Sequence, residues 1–221
     1  MTECTSKIYR NAGNLPLLDI LPKRPGRVLD CGCGAGDNAA ILKERGWVVT
    51  GITVSPEERR IASTYCCEVL LADLNRGFPE TVGRRFDLIL FSHVLEHLVA
   101  PKRLLSESRN LLAENGLVAV ALPNVLCYPF RLRFLCGNFG YEPGGIMDET
   151  HLHFYTFTTG IRLLESGGYR LVRAEADGAF PLWKLRECLP ASVVNGLNRF
   201  ATGRWPGLFG FQSLYIAQAV L

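Results

Sequence analysis

The four histidines of this 221-residue chain fall in two short strings, His93 and His97 in "HVLEH" and His151 and His153 in "DETHLHFYT" (148–156). Imidazole titrates nearest neutrality of all side chains, so each is a candidate proton acceptor. Asp148 and Tyr155 crowd the second string. If 151–155 is extended, His151, His153 and Tyr155 share one face, because side chains alternate along a strand. His151 is the expected base for a hydroxyl acceptor and His153 the second choice; struts that fold the segment are the plainer alternative for either. The first string formally matches H-x-x-E-H, a zinc-protease pattern. Here His93 ends an expected strand and no third ligand follows nearby, so no metal is expected. Glu96 and His97 are expected to anchor the turn and contact bound molecules.

A second string, "VLDCGCGAGDN" (28–38), ends an apolar run in an aspartate and places glycines at 32, 34 and 36. Glycines after the first strand of a βαβ unit let a ligand approach the backbone, and the following helix start offers free N–H groups. The dinucleotide pattern G-x-G-x-x-G fails here: the third glycine comes one residue early and Asp37 takes its place. An aspartate there repels a pyrophosphate but tolerates a carboxylate accompanied by an ammonium. The phosphate-loop pattern also fails, since no Gly-Lys-Ser/Thr follows.

The elements that must hold these strings alternate. "RVLDCG", "WVVTGITV", "EVLLAD", "FDLILFS", "GLVAVALP", "RLVRAEA" and "FQSLYIAQAV" read as strands. "NAAILKERG", the segment opened by Ser55 and Pro56 with Glu58 at the capping-box position, "PKRLLSESRNLLAENG" and "TFTTGIRLLESGGY" read as helices. The expected fold is α/β: a Rossmann-like, doubly wound seven-stranded sheet, mostly parallel with an antiparallel last strand, and helices on both faces. A single domain is expected over 1–221. Its cofactor core would be 27–122; 123–155 and 178–208, which break the alternation, would form a small substrate cap near the strand ends.

Composition narrows the function classes. Hydrophobic residues make up 48% and charged residues 20%, with a net charge of +3, too weak for a nucleic-acid surface. The excess sits after Gly178, where Lys184, Arg186, Arg199 and Arg204 face only Glu187. That tail also carries Phe180, Trp183, Phe200, Trp205, Phe209, Phe211 and Tyr215; contact with a partner or a membrane surface is one reading, and packing as a cap plus a last strand the preferred one. Eight cysteines include no C-x-x-C pair, which points away from disulfides and zinc and toward a reducing cytoplasm. "NLPLLDILP" is too short and too broken by proline for a secretory signal, and no apolar run nears the roughly 20 residues that span a bilayer.

"VLDCGCGAGDNA", "GITVSPEERRIA", "LLADL" and "FDLILFSHVLEHL", in this order and spacing, resemble the successive motifs of class I S-adenosylmethionine-dependent methyltransferases. The later strings "LPNVLCYPFRLRFLCGNFGYEPGGIMDETHLHFYT" and "WPGLFGFQSLYIAQ" resemble the MetW-like members. The resemblance implies that Asp30, Gly32, Gly34 and Gly36, with Cys33 inside the turn, surround the amino-acid end of S-adenosylmethionine. The acid that holds both ribose hydroxyls in this family is replaced by Thr53, followed by Val54. A subgroup with "GITLSPEQ"-like strings shares the ribose between that threonine and a later glutamine, whose position is Glu58 here. Glu58 is therefore expected at the ribose, with a plain capping-box glutamate as the alternative. Asp73 is expected at the adenine amino group, Leu74 beside the ring, and Ser92 and His93 where the sulfonium methyl points. Phe130, Phe134, Phe139, Tyr141, Phe154 and Phe157 are candidate pocket walls, and Arg131 and Arg133 candidate partners of an acidic acceptor. The expected reaction is methyl transfer to a small molecule, at oxygen first and nitrogen next, with S-adenosylhomocysteine as product. Carbon methylation of a quinone- or lipid-type precursor and a MetW-like regulatory partnership with an acyltransferase are the alternatives.

Overall fold

The computed structural model describes residues 12–220 apart from 81, 84, 183 and 184. Cys4, Trp183 and Lys184 thus lie outside the described residues, as does the Arg186 side chain. The described residues begin with helix α1 (Leu15–Asp19); then follow β1 (Arg27–Cys31), α2 (Asp37–Glu44), β2 (Val48–Thr53), α3 (Pro56–Ala62), β3 (Glu68–Leu71), β4 (Phe86–Ser92), α4 (Pro101–Ser108) and β5 (Leu112–Pro123). It continues through α5 (Tyr128–Leu135), α6 (Phe157–Ser166), β6 (Tyr169–Gly178), α7 (Leu185–Cys188), α8 (Ala191–Arg204), α9 (Pro206–Phe209) and β7 (Gly210–Ala219). The strands form one sheet in the order β3-β2-β1-β4-β5-β7-β6. β7 runs antiparallel to both β5 and β6, and the other paired strands run parallel. This is the expected Rossmann-like sheet.

Period-two alternation in the central strands feeds two cores, one on each face. Leu29, Cys31, Ile89, Phe91, Val118, Val120 and Leu122 pack on one side with Leu104, Leu105, Leu164, Tyr169 and Tyr215. Val28, Leu88, Leu90, Ala119 and Ala121 pack on the other with Leu17, Leu18, Ala39, Leu42 and Trp47. Burying both faces of β1, β4 and β5 fixes their register, since a one-residue slip would exchange the two cores.

Two expectations need correction. The helix expected to run from Pro101 to Gly116 ends at Ser108, passes through one 3-10 turn (Arg109–Leu111), and becomes strand from Leu112. Pairing of Leu112 with Phe86 outweighs the helical preference of "LLAE", and Asn115 takes the left-handed conformation at φ 61°. The segment 178–208 is not irregular but mostly helical, its main element being the 14 residues of α8.

Candidate active site

A cleft of about 890 Å³ opens across the carboxyl ends of the parallel strands. Each strand sends its terminal residues there: Gly32, Cys33 and Gly34 after β1, Thr53 and Val54 from β2, Asp73 and Leu74 after β3, Ser92 and His93 from β4. Glu58, Glu96, His97, Asp148 and His151 also line it. Asp30, Gly36 and His153 do not.

The loop after β1 explains its alternate glycines. Gly32, Gly34 and Gly36 all hold positive φ, at 71°, 52° and 89°. A side chain in this left-handed region costs roughly 1–2 kcal/mol. At Gly32 space is closed as well: a Cβ would lie 2.6 Å from Val94 Cγ2. Gly36 is the N-cap of α2, whose first residue, Asp37, borders the cleft. Cys33 donates its N–H to the Ile52 carbonyl (2.9 Å), which fastens the loop to β2. Contact with the Cys66 thiol and burial raise the Cys33 thiol, so it remains protonated.

Asp30 is buried at the end of β1, 1% exposed, and among the described residues neither carboxylate oxygen finds a hydrogen-bond donor. Burial pushes its carboxyl up to about 7.

Thr53 and Glu58 meet as a pair. Thr53 Oγ1 donates to Glu58 Oε2 at 2.6 Å, and both residues are buried. Ser55 caps α3 by accepting the Glu58 N–H (3.3 Å), while the Ser55 N–H donates to Thr53 Oγ1 (3.2 Å). The Glu58 carboxylate is thus bonded to the end of β2, and Glu58 lines the cleft. Asp73 is exposed and caps the 3-10 turn Leu74–Arg76, accepting from the Asn75 N–H at 2.9 Å through one oxygen.

The opposite wall is built around Glu96, in the 3-10 turn Leu95–His97. Its carboxylate is fully buried and accepts no hydrogen bond of good geometry; His93 Nδ1 stands 3.3 Å from Oε1. His93 Nε2 faces Gln212 Oε1 at 3.0 Å. Both ring nitrogens thus face acceptors, which favours the doubly protonated ring. Burial lowers the His93 pKa, but Glu96 and Gln212 more than offset it, and the net shift is upward. His93 itself holds φ 56°, a strained backbone that turns it out of the β4 line.

His151 arrives from the 123–155 segment. It is buried, its ring centroid lies 4.7 Å from that of His97, and its Nδ1 donates to the Ile146 carbonyl at 3.1 Å. Burial lowers its pKa despite the nearby Glu96 carboxylate. The extended face expected for 151–155 does not form. The N–H groups of Leu152 and His153 both donate to the Glu96 carbonyl, which bends the chain and leaves His153 stacked against Tyr155, off the cleft.

The aromatic residues expected as walls cluster beside the cleft without lining it; Phe134, Phe139 and Phe154 stack on one another, and Phe157 on Tyr215. Arg133 is paired with Glu142 inside the segment, and Arg131 donates to the Leu126 carbonyl and, across to α9, to the Gly207 carbonyl, so both guanidinium groups are engaged by protein. Sequence reasoning missed Asn14, Thr150 and Gln212. Asn14 caps α1 and donates to Ser92 Oγ (3.2 Å) and Gln212 Oε1 (2.9 Å), closing one end of the cleft. An asparagine before "LPLLD" was the available signal for the cap; nothing local announced its distant partners.

The donor set fits S-adenosylmethionine: a bare loop and helix start for an amino-acid head, a hydroxyl–carboxylate pair at the end of β2, and a second acid at the end of β3. Comparison with known proteins agrees. A family model described as "Methyltransferase domain" matches residues 6–174. The chain is 29% identical over 107 residues to the ubiquinone biosynthesis O-methyltransferase of Glaesserella parasuis serovar 5 (strain SH0165), covering 44% of this chain and 45% of that one. It is 33% identical over 104 residues to the enzyme of that name from Caulobacter sp. (strain K31), covering 44% and 41%. The chain thus spans under half the length of these two relatives. Among solved structures, a SAM-dependent methyltransferase from Archaeoglobus fulgidus superposes with a TM-score of 0.61 at 22% identity, over 92% of this chain and 88% of that one. One from Mesorhizobium loti gives 0.61 at 18%, over 92% and 95%. Likeness at these identities concerns the fold. With the match over 6–174 and the motifs on one cleft, the chain belongs to the methyltransferase-domain family, the S-adenosylmethionine-dependent methyltransferases of class I.

Proposed function

We propose that the protein transfers a methyl group from S-adenosylmethionine to a small-molecule acceptor, at oxygen first and nitrogen next. The observation that carries this reading is the meeting, in one cleft, of the glycine loop and the Thr53–Glu58 pair on one wall with His97 and His151 on the other. The name shared by the sequence relatives, ubiquinone biosynthesis O-methyltransferase, favours oxygen. On this reading Asp30, Gly32, Cys33, Gly34 and Gly36 form the seat of the amino-acid end, with Asp30 acting from beneath the loop. Thr53, Val54 and Glu58 hold the ribose, Asp73 and Leu74 the adenine, and Ser92 and His93 border the methyl. The segment 27–122 is then the cofactor core, and 123–155 supplies the acceptor wall.

The cofactor supplies an electrophilic methyl on a good leaving group; the protein aligns the acceptor, excludes water and takes a proton. His151 suits the last task. Its Nδ1–H is spent on Ile146, and its lowered pKa keeps Nε2 a free lone pair at neutral pH. His93, facing two acceptors, instead balances the charge of Glu96.

Titration calorimetry with S-adenosylhomocysteine on folded protein tests the cofactor half; no heat sinks the reading. Release of S-adenosylhomocysteine in the presence of a panel of hydroxylated metabolites tests the other half. Binding without turnover, together with a co-purifying acyltransferase, would instead favour the regulatory role that the MetW-like resemblance allows.

A further inference from the structure

Glu96, His97 and His151 each place a ligand atom within 4.8 Å of the other two, the only such group among the described residues. We propose that this trio binds a divalent transition-metal ion, of the class of zinc or cobalt(II), with an open coordination position toward the cleft.

Three independent features support it. The first is the Glu96 carboxylate, which has no exposed surface and, among the described residues, no hydrogen-bond partner on either oxygen. Leaving an ionised carboxylate buried this way costs several kcal/mol unless something cationic compensates it. His93, 3.3 Å from Oε1 and outside good hydrogen-bond geometry, supplies part of that compensation from one side of the carboxylate.

The second is the orientation of the two imidazoles. His151 Nδ1 faces the Ile146 carbonyl at 3.1 Å, and a carbonyl only accepts, so this nitrogen carries the proton. His97 Nδ1 faces the Thr150 carbonyl (3.3 Å) and the Thr150 hydroxyl (3.0 Å). That hydroxyl donates its own proton to Asp148 Oδ1 at 2.6 Å, so toward His97 it accepts. On both rings Nδ1 is engaged by an acceptor, which leaves Nε2 as the atom to offer a metal ion. Histidines that ligate metals are fixed in this manner by carbonyls and carboxylates acting through the other ring nitrogen.

The third is the donor set. Two imidazoles and one carboxylate give three ligands, the count that leaves a position for water or substrate in catalytic zinc sites. All three residues line the cleft, so that position faces the space assigned to the acceptor. The H-x-x-E-H pattern would pair His93 with His97, but His93 turns to Gln212 and His151 stands beside His97 instead.

The site stands on this geometry alone; its consequence for catalysis rests on the methyltransferase reading. An acceptor hydroxyl at the open position would lose its proton to solvent more readily, and its oxygen would meet the ion where it otherwise meets bare His151.

The test is titration of chelator-treated, full-length protein with Zn2+ by calorimetry and with Co2+ by visible absorption. One ion per chain is expected, with the weak absorption of a nitrogen–oxygen cobalt site. Glu96→Gln and His151→Gln should weaken binding more than tenfold, while His153→Ala leaves it unchanged. Thermal melts of each variant report folding, and S-adenosylhomocysteine titrations in the same samples report the cofactor site separately. Intense sulfur-to-cobalt absorption, or binding that survives both substitutions, would assign the ion to exposed thiols such as Cys67 and Cys136 and overturn the proposal. So would the lack of any binding by protein that still takes S-adenosylhomocysteine, a result that leaves the methyltransferase reading intact. Metal uptake without S-adenosylhomocysteine binding would do the reverse.

Discussion

On the glycine-loop wall, Thr53 meets Glu58 across five residues and Asp73 meets the Asn75 N–H across two. On the histidine wall, His97 meets Thr150 across 53 residues and His93 meets Gln212 across 119. The first wall is thus assembled within single βα turns, and the sheet merely brings the turns side by side. The second exists only once the 123–155 segment and the last strand have closed over it. A ligand common to a whole family suits the first construction, because local geometry survives change elsewhere. Selectivity for one acceptor suits the second, where a shift in the inserted segment re-aims His151 without touching the loop.

Four experiments sharpen or break this contrast. Gly32→Ala should have the largest effect: a left-handed backbone and a 2.6 Å clash with Val94 together should weaken S-adenosylhomocysteine binding at least a hundredfold by calorimetry. Affinity within a few fold of the parent would show that the loop is not the seat.

Next comes the acid beneath the loop. The folded state raises Asp30 from 3.8 to about 7, so the native protein holds a proton that the unfolded chain releases. Stability from this group is complete below 3.8, falls as pH rises through that window, and is gone above about 7. The slope reaches at most about 1.4 kcal/mol per pH unit. Asp30→Asn should flatten melting temperature against pH over this range, and an unchanged slope would show that Asp30 finds a partner in solution.

Glu58→Ala should weaken S-adenosylhomocysteine binding about tenfold, near 1.4 kcal/mol. A change under about twofold would return Glu58 to its capping role and separate the β2 end from the cofactor. The smallest effect belongs to Ser55→Ala, which removes the α3 cap and should cost about 1 kcal/mol in a denaturant melt. If it also lowers cofactor affinity slightly, the helix start is what aims Glu58.

The same contrast governs what the sequence discloses. The sheet with helices on both faces was legible because strands and helices alternate at short spacing from residue 27 to 122. The start of α3 was legible because Ser55 and Pro56 mark it, and the resemblance to "GITLSPEQ"-like strings pointed to Thr53 and Glu58 on either side. The β5 boundary was not: "LLAENG" favours helix locally, and only pairing of Leu112 with Phe86 decides otherwise. Nor was the position of His151, because two N–H bonds to the Glu96 carbonyl bend the 151–155 stretch, and no periodicity encodes that bend. His153, two residues away and chemically equivalent, ends up off the cleft for the same reason. Nothing local marks the meeting of Asn14 with Gln212, which takes place at 2.9 Å across 198 residues.

The excursion between β6 and β7 leaves and re-enters the sheet at almost one point. Gly178 pairs with Gly210, Ala179 donates to the Phe209 carbonyl at 3.1 Å, and a Cβ on Gly178 would overlap that same oxygen. Topologically the three helices between them are the tip of one long hairpin. Lengthening such a tip costs only about 0.6 kcal/mol per doubling of its length. Evolution, or an engineer, can therefore exchange what hangs from this clasp while both strands keep their alignment and Gln212 keeps its place beside His93.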